Sequence, residues 1–253
     1  MSVIIAAVTH KEYKLPDDPL YMPLMAGSAL MGEVPPKYIR DDSGDNISAR
    51  NRSFCELTGL YWVWKNLDAD HIGICHYRRY FAYKRHILCM NEAEKLAERA
   101  DIILPKKRRY YIETNYSHYA HAHHAADLDT VRDIIRERHP DHLQAYDSRM
   151  RMRSGHRFNM LIMRRDILDR YCIWLFDILF ELERRLDTSD YSEKDRRVFG
   201  FVAERLLDVW LDAGHEEYIE LPYVMTEKEY LSVKAMGMII RKFRSLRRKK
   251  HER

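Results

Sequence analysis

His71-Ile72-Gly73-Ile74-Cys75-His76-Tyr77-Arg78-Arg79-Tyr80-Phe81 joins a short apolar run to a cluster of cationic and aromatic side chains. The unbroken apolar part is typical of a strand that is buried on both faces of a sheet. Ligands of open α/β sheets bind at the carboxyl ends of such strands. The stretch therefore predicts a central strand whose end, from His76 to Arg79, borders a binding site.

A second run of the same kind lies at the start of the chain. Ser2 to Val8 is apolar and rich in β-branched residues, and it ends at the polar residues Thr9-His10-Lys11. Further strands and helices are predicted to alternate along the chain: strands at 101–104, 158–163 and 218–223, and helices at 53–66, 93–99, 128–138, 167–186 and 193–213. This alternation predicts an α/β fold with a mainly parallel or mixed sheet.

The segment from Tyr13 to Asn51 is predicted to be a long loop. It contains five prolines between residues 16 and 36 and the turn-forming stretch Asp42-Ser43-Gly44-Asp45-Asn46. Loops of this length inside a compact domain are more often functional than not.

The charge of the chain is concentrated at its end. The formal net charge is +4, but residues 241–253 alone carry +7, so the remaining 240 residues carry −3. A slightly acidic body offers no general footprint for a nucleic-acid backbone, and we expect no nucleic-acid partner.

The same end has the pattern of an amphipathic helix. Its apolar residues recur at helical spacing and Arg or Lys fills the other face: Met236, Ile239, Ile240, Phe243 and Leu246. This pattern predicts a helix that lies on an anionic membrane surface. The alternative is a solvated terminus that docks weakly on the body.

The remaining composition favours a cytoplasmic globular protein. Hydrophobic residues make up 46% of the 253 positions, which is enough for a buried core, and no apolar stretch approaches the roughly 18 residues of a membrane span. Cys55, Cys75, Cys89 and Cys172 form no CxxC pair, so we interpret them as small core residues rather than as a disulfide or zinc framework.

Two patterns resemble metal sites, and both have a simpler interpretation. The triplet Asp68-Ala69-Asp70 has the carboxylates that hold Mg²⁺ or Mn²⁺, but it precedes its strand and is predicted to be a solvated turn. His121 and His124 would share one face of a helix, yet no neighbouring residue completes a known ligand spacing. A polar loop that lines a cleft is the favoured interpretation of this histidine-rich stretch.

The arginines and acids offer candidates for chemistry. Arg78 and Arg79 suit bidentate contacts with phosphate oxygens, and since neighbouring strand residues point to opposite faces, one is expected to reach the ligand while the other pairs structurally. Glu204 lies in an apolar helix, where it either pairs with an arginine or acts as a general base.

Several blocks together resemble one bacterial family. They are THK (9–11), GDNIS (44–48), N-x-x-x-CELTGLYWVWKN (51–66), IGICHYRRYF (72–81), FNMLIM (158–163) and RVFGFVAERLL (197–207). The family is a domain of unknown function in capsular polysaccharide, exopolysaccharide and lipopolysaccharide biosynthesis proteins, and it is similar to GT-A type glycosyltransferases.

The resemblance implies a single Rossmann-like α/β/α domain over residues 1–230, followed by the basic tail at 231–253. It also implies transfer of a sugar, with UDP-galactofuranose as a donor, to a growing or lipid-linked cell-surface glycan at the inner face of the cell membrane. The donor-binding residues it implies are Thr9, His10, Lys11, Asp45, Asn46, Asn51, His76, Tyr77, Arg78 and Arg79. The residues expected to meet the acceptor or the transferred sugar are His118, His121, His156 and Asn159.

One departure from the GT-A pattern affects the expected mechanism. The metal-binding DxD is missing after the strand that ends at His76, so we expect Arg78 or Arg79 to stabilise the leaving diphosphate in place of Mn²⁺ or Mg²⁺. For an inverting transfer, Glu204 is the first candidate for the general base and Asp195 the second. The alternatives are a non-catalytic nucleotide-sugar or carbohydrate-binding module and an RNA-binding protein.

Overall fold

The structure, a computed structural model, describes residues 1–227. The predicted tail at 231–253, its amphipathic helix and the predicted boundary at residue 230 lie outside the described residues. None of the helices within residues 1–227 is long and apolar enough to cross a membrane.

A mixed sheet forms the centre of the molecule. In the described part of the chain the strands are β1 (Val3–Thr9), β2 (Tyr21–Met25), β3 (Ile39–Arg40), β4 (His71–His76), β5 (Arg79–Tyr83), β6 (His86–Ile87), β7 (Ile102–Pro105), β8 (Arg108–Arg109), β9 (Ser154–Gly155), β10 (Leu161–Arg164), β11 (Ile219–Leu221) and β12 (Tyr223–Met225). The main path runs β11-β7-β10-β4-β1-β2-β3. β5 continues from β4 through a tight turn and pairs with β6 and β12, while β8 and β9 form a separate ribbon.

The two strands predicted from the longest apolar runs are neighbours at the middle of this sheet. β1 and β4 are parallel, with Val8 opposite His76, so both end at the same edge. β10 is antiparallel to β4, so its amino end lies at that edge too. The predicted α/β class with a mixed sheet is confirmed.

The sheet is buried on both faces, as the apolar runs predict. Along β1, Ala6 and Val8 pack into one core cluster while Val3, Ile5 and Ala7 pack into the other. This alternation follows from the two-residue period of a strand. The fold therefore has three layers, with the sheet between two sets of packed elements.

Helices cover mainly one face. They are α1 (Asn51–Phe54), α2 (Leu57–Asn66), α3 (Met90–Ala97), α4 (Asn115–Ala120), α5 (Ala125–Arg138), α6 (Leu143–Arg151), α7 (Arg165–Arg185) and α8 (Val198–Ala213). α3 packs on the opposite face with the aromatic residues of β5. α2 is anchored to α7 by Trp64, whose ring stacks on Phe176 at 5.7 Å. Truncating a fully buried side chain such as Leu179 to alanine costs about 2–5 kcal/mol.

Two predicted segments differ from the structure. The predicted loop at 13–51 contains β2, which pairs with β1 although Pro23 lies in its middle. β3 pairs only with Leu24 and Met25, so β2 is an edge strand at Pro23, where a proline is tolerated. The predicted helix at 53–66 begins at Asn51 and is interrupted at Cys55, whose φ is 54°.

Two predicted boundaries also move. The strand predicted at 158–163 begins at Leu161, because Phe158 and Asn159 have positive φ angles. The helix predicted at 193–213 begins at Val198, after a 3₁₀ turn at Asp195–Arg197. All four cysteines are free thiols, and Cys75 and Cys172 are buried as predicted, while Cys55 and Cys89 are half-buried.

Candidate active site

A cavity of about 790 Å³ opens at the carboxyl ends of β1 and β4. Thr9 and His10 line it from the end of β1, and the residues from His76 to Arg79 line it from the β4–β5 turn. Its other walls come from α1, the loop before β10, β8 and α8. Because three strands meet at this edge, the cavity lies where ligands of open α/β sheets bind.

Positive charge dominates the lining. Three glutamates, Glu56, Glu193 and Glu204, face seven arginines: Arg52, Arg78, Arg79, Arg108, Arg157, Arg197 and Arg205. Such an excess raises the local concentration of anions. The cavity is therefore suited to a ligand with several negative charges.

The end of β1 is held by its own backbone. Thr9 Oγ1 donates a hydrogen bond to the Lys11 carbonyl oxygen at 2.5 Å, which folds the chain over the strand end. Lys11 lies outside the lining, with its ammonium 5.5 Å from the Tyr77 ring centre. Burial and the charges of Lys11 and Arg78 lower the pKa of His10, so its imidazole is neutral at pH 7.

Both arginines of the HYRR motif reach the cavity. Arg78 lies in the turn between β4 and β5 rather than in a strand, so the expectation that the two side chains point to opposite faces does not apply. Arg78 Nη1 donates a hydrogen bond to Glu227 at 3.0 Å. The Arg79 guanidinium packs 4.4 Å from the centre of the Phe158 ring.

Glu56 is held as a carboxylate at the base of the cavity. Asn159 Nδ2 donates a hydrogen bond to Glu56 Oε1 at 2.6 Å, and His76 Nε2 lies 3.7 Å from the same oxygen. Burial by itself raises the pKa of Glu56, but the charge of His76 and the hydrogen bonds from His76 and Asn159 lower it to about 2. His76 Nε2 also lies 3.0 Å from the Phe158 carbonyl oxygen, which can only accept, so Nε2 carries the proton.

Unusual backbone surrounds this carboxylate. Cys55, Phe158 and Asn159 have φ angles of 54°, 76° and 49°. Positive φ is unfavourable for side chains of this size, and such strain clusters at functional sites. The strained positions aim Glu56 and Asn159 at each other from two different elements.

Glu204 lies within the cavity, one helical turn after Gly200 on α8. Its Oε1 accepts a hydrogen bond from the Phe158 N–H at 3.0 Å, and its Oε2 lies 3.4 Å from Arg205 Nη1. The side chain is 21% exposed, so the carboxylate is reachable from the cavity. Asp195 lies outside the lining and accepts a hydrogen bond from His123 Nδ1 at 2.8 Å.

The histidine-rich stretch divides between the cavity and its surroundings. His118 lines the cavity and stacks on Tyr110 at 4.0 Å. His121 lies outside the lining, with Nδ1 2.7 Å from Glu113. α4 ends at Ala120, so His121 and His124 do not share a helical face. Among residues 1–227, no group of three His, Cys, Asp or Glu side chains is arranged to hold a metal ion.

Four further predicted residues occupy distinct places. Asn51 lines the cavity and packs against Gly27, whose φ is 75°. Any other residue at position 27 would place its Cβ 2.7 Å from the Asn51 side chain, so glycine is needed there. Asp45 and Asn46 lie outside the lining, in a loop tied to α2 by Tyr61. His156 is also outside, with its ring buried between Asp208 and Glu220 at 2.7 and 3.1 Å.

The sequence patterns did not single out several important residues. Arg157, Arg197 and Glu56 line the cavity, but each contacts partners more than 40 positions away. Asp41 is fully buried and accepts hydrogen bonds from the N–H groups of Gly27 and Ser28, both at 2.9 Å, and from two hydroxyls. A strand-end acid followed by Asp42-Ser43-Gly44 looks like an ordinary turn, so no local signal identifies it.

Comparisons with known proteins give a family and a similar fold. The sequence profile of a domain of unknown function, DUF4422, matches residues 4–216. The apo structure of WbbM, a bifunctional glycosyltransferase, is similar in fold with a TM-score of 0.84 and 30% sequence identity; the match covers 90% of this chain and 46% of that one. No curated protein matches the sequence significantly.

Proposed function

The chain belongs to the DUF4422 family, and from this premise we propose that it transfers a sugar from a nucleotide-diphosphate donor to a growing cell-surface polysaccharide. The observation that carries the proposal is the arginine-lined cavity at the carboxyl ends of β1 and β4. A nucleotide diphosphate has the charge that this lining attracts, and a similar fold in a glycosyltransferase favours this chemistry over simple binding.

In the proposed complex the nucleotide lies against Thr9 and His10 and the diphosphate against Arg78 and Arg79. Guanidinium groups present paired N–H donors that match phosphate oxygens. The diphosphate gains charge as the bond to the sugar breaks, so fixed cations at that point stabilise the transition state more than the ground state.

The residues at this position do not fit Mg²⁺ or Mn²⁺. These cations take oxygen ligands such as carboxylates, whereas the chain places His76, Tyr77, Arg78 and Arg79 there. Glu56 is engaged by Asn159 and lies beside His76. We therefore propose that the transfer needs no divalent cation.

Glu204 is the proposed general base of an inverting transfer. Its carboxylate is fixed by the Phe158 N–H through Oε1. Oε2, which lies 3.4 Å from Arg205 Nη1, is the oxygen that would accept the proton of an acceptor hydroxyl. Asp195, the second candidate, hydrogen-bonds His123 and Ser192 and lies outside the lining, which favours a positioning role for it.

The proposed donor is UDP-galactofuranose, on the strength of the family resemblance in the sequence motifs. The proposed acceptor is a glycan or lipid-linked glycan, met by the His118 side of the cavity. Asn159 is buried outside the lining, so its proposed part is to hold Glu56 rather than to contact the sugar. The basic tail would hold the enzyme at the cytoplasmic face of the membrane by attraction to anionic lipids.

A thermal-shift screen of nucleotide sugars tests the proposal. A ligand at 100 times its Kd adds about 2.7 kcal/mol to stability, so the correct donor should raise the melting temperature clearly. Turnover of that donor to transferred or hydrolysed sugar supports an enzyme. Binding of a nucleotide sugar with no turnover of any acceptor would replace the proposal with a non-catalytic binding module.

A further inference from the structure

A second cluster of arginines lies in the cavity on elements that the proposed diphosphate site does not use. Arg108 comes from β8, Arg157 from the loop before β10 and Arg205 from α8. The charges that act on His10 come from Lys11, Arg78, Arg197 and His76, whereas Arg205 is acted on by Arg157 and Glu204. The two groups of arginines therefore lie on different elements of the cavity wall.

Arg205 is buried without full compensation of its charge. Only 4% of the residue is exposed, and its Nε has no hydrogen-bond partner among residues 1–227. Nη1 donates to the Phe201 carbonyl oxygen at 2.5 Å and lies 3.4 Å from Glu204 Oε2, which is long for an ion pair with hydrogen bonding. Burial and the charge of Arg157 lower the pKa of Arg205, so keeping this side chain charged lowers the stability of the folded protein.

Arg157 is equally buried, and its hydrogen bonds go to neutral oxygens. Nε donates to the Tyr110 hydroxyl at 3.0 Å, Nη1 donates to the carbonyls of His156 and Glu204, and Nη2 donates to Asn115 Oδ1. The carboxylate of Asp208 also attracts the Arg157 guanidinium, but its hydrogen bond is with His156. The Arg157 charge therefore has no hydrogen-bonded carboxylate, and one N–H of Nη2 is left for a ligand.

Arg108 completes the cluster at a half-buried position. Within residues 1–227 its side chain has no hydrogen bond and no carboxylate within ion-pair distance, and its guanidinium lies 5.9 Å from the Tyr110 ring. Tyr110 in turn stacks on His118 at 4.0 Å. An aromatic platform beside guanidinium groups suits a ligand with one apolar face and one charged group.

We propose that Arg108, Arg157 and Arg205 form a second anion subsite, which binds the carboxylate or phosphate group of an acidic acceptor sugar. This inference rests on the proposed transferase function, since it assigns the other substrate of the same cavity. The sugar ring lies against His118, which stacks on the buried Tyr110, while its anionic group meets the guanidinium groups.

The position of Glu204 agrees with this assignment. Its Oε2 faces Arg205, so a sugar anchored by the cluster has a hydroxyl close to the proposed base. Holding the acceptor in this orientation converts the attack into an effectively intramolecular step.

Calorimetric titration of the full chain in saturating UDP tests the subsite. The probes are glucuronic acid, galactose 1-phosphate and the neutral methyl β-D-galactoside. Both anionic probes, or the one that matches the acceptor, should bind at least about tenfold more tightly than the neutral probe, because a hydrogen bond to a charged group is stronger than one to a neutral group. The stronger of the two identifies the carboxylate or the phosphate as the natural group.

Two variants and a control test whether the arginine cluster causes the preference for anionic probes. Arg108→Gln should remove that tenfold preference and leave UDP affinity unchanged. The exposed neighbour Arg109 lies outside the lining, so Arg109→Gln serves as the matched control and should bind all probes as the wild type does. Arg205→Lys keeps the charge and should retain part of the preference, which separates recognition from a folding defect.

Equal binding of charged and neutral probes, competition of the anionic probes with UDP, or an unchanged preference in Arg108→Gln would overturn the second subsite. Selective anion binding without turnover of any nucleotide sugar would support the subsite while overturning the transferase function.

Discussion

The two edges of the central sheet carry cavities of similar size but of opposite electrostatic design. The amino edge has a shallow cavity of about 750 Å³ lined by Asp68, Asp70, Asp166 and Asp169 together with Arg164 and Arg165. There the charges neutralise one another: Arg164 contacts Asp101 and Asp166, both at 2.6 Å, and Arg165 lies 3.2 Å from Asp169.

The carboxyl edge compensates only part of its charge. Arg78 and Arg205 lie 3.0 and 3.4 Å from glutamates, but within residues 1–227 Arg108, Arg157 and Arg197 have no carboxylate within 4.0 Å. Arg157 is also buried, and since burying a cation without a charged partner is costly, this pattern favours the carboxyl edge as the proposed anion site. Cavity size therefore does not distinguish the two edges, whereas charge compensation does.

Removing the proposed base should give the largest effect. Glu204→Gln is expected to lower the transfer rate by about 10²–10⁴-fold, the usual contribution of general base catalysis, while donor affinity stays within about twofold. Steady-state turnover and a donor titration measure the two quantities. Asp70→Asn at the amino edge is the control, and an unchanged rate in Glu204→Gln would remove Glu204 from the role.

Asp41 should be the most important acid for stability at the carboxyl edge. Asp41→Ala leaves the Gly27 and Ser28 N–H groups and two hydroxyls without their acceptor, so it should cost about 3 kcal/mol or more in unfolding free energy. Asp70→Ala, at a side chain that is 61% exposed, should cost less than about 1 kcal/mol. Urea denaturation compares them, and equal costs would contradict the contrast between the edges.

Arg78 should affect the donor selectively. Arg78→Gln is expected to lower kcat/KM for the nucleotide sugar by about 10–150-fold, the equivalent of one charge-assisted contact. Arg164→Gln removes a cation from the amino edge and should leave kcat/KM unchanged. If kcat/KM falls equally in both variants, the effect comes from the net charge of the protein and not from the position of Arg78.

The smallest effect concerns acid stability. The folded pKa of Glu56, about 2, lies below the value near 4.3 of an unfolded chain, so its contribution is present above about pH 5 and is lost as the pH falls toward 2. The difference in unfolding free energy between wild type and Glu56→Gln should therefore shrink between pH 7 and pH 3. A constant difference would mean that the carboxylate is not selectively stabilised in the fold.

The central strands could be predicted from sequence because their signal is local. β1 and β4 are continuous apolar runs followed by polar residues, and that pattern alone places Thr9 and His76 at a ligand-binding edge. The resemblance added the family and a motif that contains Glu204, whereas the helix that carries this residue was predicted from its apolar pattern.

The rest depends on tertiary contacts. Pro23 hides β2 in a proline-rich segment, and the backbone of Cys55 turns an apparent helix interior into the start of α2, which brings Glu56 to the cavity. His156 is predicted to meet the acceptor or the transferred sugar, but only the fold places Asp208 and Glu220 against its ring. Such pairings of distant residues leave no spacing to detect in one sequence.

Turnover of UDP-galactofuranose by the full chain in excess EDTA tests the central claim most directly. If Arg78 and Arg79 stabilise the leaving diphosphate in place of a divalent cation, the transfer rate is unchanged in EDTA. It falls only when Arg78 is replaced. Complete loss of activity in EDTA that Mn²⁺ restores would contradict the account.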